Sequence, residues 1–182
     1  MSGIWQHPIK LLDGFTLSIQ DGAKSIVLDK CDSFITYPLA TQFKYDGADD
    51  LEIVRTDFVP DSLPVLAVEY QVRNKTNQPK EILLSLTADT DLSPVWLGER
   101  SGMTDTRDQY TGLIHNTVFA KDSLNNWFVG VTSDQDSLSI DDLGNSPVQG
   151  QGISVKLNTP RLNLAANEVR NIRCLLYTSP SP

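Results

Sequence analysis

The sequence predicts an all-β protein, a large antiparallel β-sandwich, on three observations. Apolar residues recur with period two along most of the chain, turn-forming pairs punctuate it at short intervals, and no window holds an amphipathic helix of three turns. In order, strands read from FTLSI (15–19), KSIVL (24–28), SFITY (33–37), TQFKY (41–45) and LEIVRTDFV (51–59). VLAVEYQVRN (65–74) is the clearest, with Leu66, Val68, Tyr70 and Val72 on one face and Glu69, Gln71 and Arg73 on the other. EILLSLTAD (81–89) follows, with Ile82, Leu84, Leu86 and Ala88 opposite Ser85 and Thr87. NKTNQPK lies between these two and predicts a hairpin with a polar turn. Asn74-Lys75-Thr76 within it is a glycosylation sequon, although a turn calls for Asn here in any case.

The second half adds TGLIHNTVFA (111–120), NWFVGVTS (126–133), ISVKLN (153–158) and EVRNIR (168–173), with LGNSPVQGQG (143–152) expected as a flexible loop. Turns are expected at Asp13-Gly14, Asp21-Gly22, Asp46-Gly47, Asn125-Asn126 and Gly144-Asn145. About eleven short strands at close spacing favour a sandwich, and the lack of an internal repeat argues against a propeller. The length, 182 residues, suits one domain. The expected sandwich spans 1–173. The last nine residues, CLLYTSPSP (174–182), resemble translated sequencing adapter and are expected to be a tail outside the fold, with the sandwich incomplete at that end.

Composition narrows the function. The chain is 40% hydrophobic and 21% charged, an ordinary globular balance, with a formal net charge of −8. No basic cluster is present to neutralise phosphates, so no nucleic-acid partner is expected. No apolar run approaches the length of a membrane span, so no membrane partner is expected either. MSGIWQHPIK has neither the basic region nor the apolar core of a signal peptide, which tips the expected compartment toward the cytoplasm. Cys31 and Cys174 have no metal or redox spacing.

Catalytic patterns are thin. There is no GxSxG elbow and no phosphate-cradling glycine loop; the two histidines are His7 and His115, the latter within an alternating strand. Asp89, Asp91 and Ser93 alternate like the start of a calcium loop, but the glycine and glutamate that would close it are missing. Asp134, Asp136, Asp141 and Asp142, and likewise Asp46, Asp49 and Asp50, read as solvated turns. No metal or cofactor is expected. Asp89 and Asp91 are too closely spaced for the roughly 6.5–9.5 Å of an inverting glycosidase pair, and Arg100 beside Glu99 would hold that carboxylate ionised. DTDLSPVWLGERSGM (89–103) therefore reads as a recognition loop leaving the sandwich. Its candidates for facing carbohydrate or another domain are Asp91, Trp96, Glu99 and Arg100, with Trp96 equally readable as a packing anchor. No catalytic residue is assigned.

Three strings carry a family resemblance: GIWQHPIKLLDGF, VRTDFVPDSLPVLAVEYQVRNKT with Thr56, Asp57, Phe58 and Pro60, and DLSPVWLGERSGM. Together they resemble the N-terminal β-sandwich of six-hairpin glycosidases, the bacterial glycogen-debranching and glucoamylase-like enzymes. The resemblance implies a galactose-mutarotase-like super-sandwich packed on a C-terminal α/α barrel that holds the catalytic carboxylates and is not in this chain. It implies that residues 1–173 hold almost no helix and are inactive alone, that the parent is a glycoside hydrolase, and that the partner is the missing barrel, with glucan-type carbohydrate nearby. A stand-alone glycan-binding module and a structural or adhesion sandwich stay open as alternatives.

Overall fold

The computed structural model describes residues 3–46, 50–148 and 150–178. They form two antiparallel sheets packed face to face, with a single helical turn, α1 (Leu97–Arg100). No described helix is long and apolar enough to cross a membrane.

The first sheet runs β1 (Ile4–Gln6), β2 (Ile9–Asp21), β8 (Lys80–Pro94), β13 (Ile153–Asn158), β12 (Ser139–Asn145), with β3 (Lys24–Val27) beside β2 and β14 (Leu162–Leu164) beside β8. The second runs β4 (Ser33–Thr36), β5 (Ala40–Tyr45), β6 (Leu51–Phe58), β7 (Val65–Asn74), β15 (Val169–Thr178), β11 (Phe128–Ser133), β10 (Thr117–Asp122), β9 (Asp108–Ile114). The core lies between them. Ile82, Leu84, Leu86, Ala88 and Leu92 of β8 and Val155 and Leu157 of β13 face Val68, Tyr70 and Val72 of β7 and Ile172, Cys174 and Leu176 of β15, all buried. Burial of each large apolar side chain contributes about 1.5–3 kcal/mol, which is why period two determines which face of each strand turns inward.

The structure departs from the sequence expectations at several points. The strands at 65–74 and 80–94 do not form a hairpin; β7 and β8 lie in different sheets. Each has one apolar face, and placing those faces against each other buries both, which edge-to-edge pairing would not. Asn74 makes the crossing. It is fully buried, and its Nδ2 donates to the carbonyls of Gln78 (2.7 Å) and Ala165 (3.0 Å) while its Oδ1 accepts from Thr76. A side chain so enclosed is no glycan acceptor.

Two expected turns are bulges instead. Asp13-Gly14 lies inside β2, where the register with β8 shifts, and Gly144-Asn145 lies inside β12 at another shift. The segment 111–120 divides into β9 and β10 around His115 and Asn116, both with positive φ (48° and 61°), so His115 sits on a two-residue hairpin turn and not within a strand. Leu143, Gly144 and Asn145 of the expected loop belong to β12. β15 runs beyond Arg173, where the sandwich was expected to end, to Thr178, pairing with β7 on one side and β11 on the other. Gly47, Asp49 and residues 179–182 lie outside the described residues.

Candidate functional site

At one end of the first sheet, β1, the start of β2 and the last residues of β8 meet the segments after α1 and before β13. Between them is a cleft of about 610 Å³, lined by Trp5, Lys10, Asp13, Asp91, Ser93, Glu99, Asp105 and Gly150, among others. Segment 89–94, expected to be loop, is the end of β8, so Asp91 and Ser93 project from a rigid strand. Lys10 Nζ donates to Asp91 Oδ2 at 2.6 Å and also contacts Asp13; Ser93 Oγ lies 3.3 Å from the same Asp91 oxygen. Burial works against the Lys10 charge, but the hydrogen bonds to Asp13 and Asp91 outweigh it and hold the ammonium above its ordinary pKa. Asp91 Oδ1 and Asp105 Oδ1 are buried with no hydrogen-bond partner. Burial, then the charges of Asp91 and Asp122, raises the Asp105 pKa.

The cleft rests on buried polar groups that join the two sheets. Asp108, 1% exposed on β9, accepts from Thr90 Oγ1 (2.7 Å) and the Leu92 N–H (3.1 Å) of β8. Burial pushes its carboxyl up to about 6, against the opposing pull of those two hydrogen bonds. Asp122, also fully buried, ties down the segment before β9. It accepts from Thr106 N–H and Oγ1, from the Leu124 and Asn125 N–H groups and from Asn125 Nδ2. Its burial would raise the pKa, but these donors win and hold it below the usual carboxylate value.

Of the four residues singled out in the sequence, Asp91 and Glu99 line the cleft, while Trp96 and Arg100 are not among its lining. Trp96 is 66% exposed, has a positive φ of 52° at the start of α1, and its ring centroid lies 5.8 Å from that of His7. Arg100 donates its backbone N–H to the Trp96 carbonyl, closing the single turn, and is exposed. Lys10, Asp13 and Asp105 were missed. Lys10 and Asp91 are 81 residues apart, so no local spacing signals their pairing.

Chemically the cleft offers hydrogen-bond acceptors around a single engaged cation. A lysine locked as ammonium between two carboxylates is a poor base and a poor nucleophile. Its Nζ also fills the place between Asp13 and Asp91 that a cation would take, and no cluster of three metal-ligating side chains occurs among the described residues. What remains on offer is acceptor oxygens and the half-exposed ring of Trp5.

No family model matches the chain, and no curated protein matches it. Solved structures do. A human-microbiome protein assigned as a kojibiose phosphorylase matches with TM-score 0.56 at 16% identity, over 94% of this chain and 22% of its own. An Escherichia coli K12 protein assigned as an aldose 1-epimerase matches with TM-score 0.56 at 9% identity, over 81% of this chain and 68% of its own. A galactose mutarotase-like protein from Lactobacillus casei matches with TM-score 0.56 at 11% identity, over 89% and 80%. The fold is the galactose-mutarotase-like sandwich. At these identities the likeness concerns the fold alone, and the chain spans about a fifth of the length of the first of these proteins.

Proposed function

We propose that this chain is the N-terminal sandwich of a longer carbohydrate-active hydrolase of the six-hairpin type, related to glycogen-debranching and glucoamylase-like enzymes. In this reading it is non-catalytic: it supports a helical barrel and helps to line that barrel's substrate cleft. The observation that carries the reading is the fold match covering 94% of this chain but only 22% of the protein assigned as a kojibiose phosphorylase, where the same fold is one part of a longer chain. The strings around Thr56–Pro60 and DLSPVW support the narrower family. The locked Lys10 favours a supporting role. Exposed Trp96, held beside α1, suits a surface that another domain covers.

The test is to extend the reading frame at its source and compare the longer protein with this chain for glucose release from glycogen and maltooligosaccharides. Activity in the long form alone is expected. A frame that ends without helical segments would count against the proposal.

A second reading, a stand-alone glycan-binding module, is favoured by the 80% coverage of the mutarotase-like protein, which is little more than a sandwich. Titration of the isolated domain with maltooligosaccharides, comparing wild type with Trp96→Ala, separates the two. Binding lost on that substitution supports the module; binding untouched by it, or no binding, supports the scaffold.

A further inference from the structure

We propose that the cleft over Lys10 and Asp91 binds a neutral, hydroxyl-rich saccharide unit and selects against anionic sugars. The proposal rests on the carbohydrate reading above and deepens it by naming the substrate class this surface takes. The Asp91 side chain is 8% exposed; its Oδ2 is occupied by Lys10 and Ser93, while its Oδ1 has no donor. Asp105, on the same cleft, also has an unpartnered Oδ1. Ionised carboxylates only accept hydrogen bonds, so unmet buried oxygens call for donors, and saccharide hydroxyls are donors of the right kind. Gly150 borders the cleft at Asp91, where a Cβ would stand 2.8 Å from Oδ1, so only glycine leaves this carboxylate uncrowded. Trp5, 42% exposed, offers a ring for the apolar face of a pyranose. The cleft volume, about 610 Å³, falls within the range of small-ligand sites.

Charge sets the selectivity. The described lining residues include the carboxylates Asp13, Asp91, Glu99 and Asp105 against one cation, Lys10, which is already engaged by Asp13 and Asp91. A phosphate or uronate group would meet repulsion and no free ammonium. A neutral sugar loses nothing to that field, and its hydroxyls satisfy the oxygens.

The experiment is calorimetric titration of the full 182-residue chain with neutral trisaccharides (maltotriose, cellotriose, mannotriose) and with trigalacturonic acid. Saturable binding of at least one neutral trisaccharide is expected, with the acidic one weaker by about tenfold at low salt and the gap narrowing as salt is added. Asp105→Asn and Trp5→Ala should each weaken neutral binding by about fivefold or more, and Asp91→Asn by more than either. Circular dichroism checks each fold; if Asp91→Asn does not fold, the other two variants and the wild-type selectivity decide. Failure of every neutral trisaccharide to bind, equal binding of trigalacturonic acid, or unchanged binding in both Asp105→Asn and Trp5→Ala would overturn the proposal. If neutral sugars fail to bind while the extended protein cleaves glucan, this inference falls and the broader reading stands; sugar binding without a helical extension gives the reverse.

Discussion

Gly152 has no room for a side chain, because a Cβ would lie 1.7 Å from the Thr90 carbonyl oxygen. The conflict is with backbone, which cannot rotate away, so Gly152→Ala must push β13 from β8. A loss of about 3 kcal/mol in urea unfolding is expected. Lys10→Met should be similarly costly, about 3 kcal/mol, since it leaves Asp13 and Asp91 together without their cation. Asp108 gives a pH signature of definite sign. Its folded pKa, about 6, lies above the ordinary 3.8, so the folded chain binds this proton more tightly and the site favours folding at low pH. That contribution fades as pH rises through about 6. Stability from this group should therefore be about 1–2 kcal/mol greater at pH 5 than at pH 7.5, by calorimetry or chemical unfolding, and Asp108→Asn should flatten the slope. Asp105, also raised, acts in the same direction. Asp122 acts oppositely: its contribution is present above the unfolded carboxylate pKa and is lost only as pH falls through its lowered folded value.

At the scale of elements, inner faces were readable and partners were not. Val68, Tyr70 and Val72, or Ile82, Leu84 and Leu86, announce their buried side by alternation alone. Where the chain crosses between the two sheets, Asn74 donates a hydrogen bond to the Ala165 carbonyl, in a segment 91 residues away. Asn74→Ala should cost about 2–3 kcal/mol by removing several buried hydrogen bonds at once. Arg55 of β6 is a second case. Its guanidinium stacks over Phe15 (4.2 Å) and Phe43 (4.9 Å) and pairs with Asp57 two residues on. Period two places Arg55 and Asp57 on the same face as buried Leu51 and Ile53, which looks like an error in the pattern until Phe15 from the opposite sheet is in view. The cleft was half legible for the same reason: Asp91 and Glu99 lie within one conspicuous string, whereas Lys10 and Trp5 reach it only through the pairing of β2 with β8.

For the whole molecule, the marked asymmetry is at the β4 edge. Phe34, Ile35, Tyr37, Leu39, Phe58 and Val59 are exposed together around an outermost strand. Apolar edges of this kind promote association. The isolated chain should show concentration-dependent self-association by sedimentation, and Ile35→Lys should reduce it without lowering the unfolding midpoint.

The place of β15 has a consequence for synthesis. This strand is the last described segment of the chain, yet it lies between β7 and β11 in the middle of its sheet. As the polypeptide leaves the ribosome, β4–β7 and β9–β11 emerge as two separate pieces, each with an unsatisfied edge, and neither can join the other until residues 169–178 follow. The second sheet is thus joined by β15, and a nascent chain stalled before residues 169–178 would hold two half-sheets waiting for a keystone.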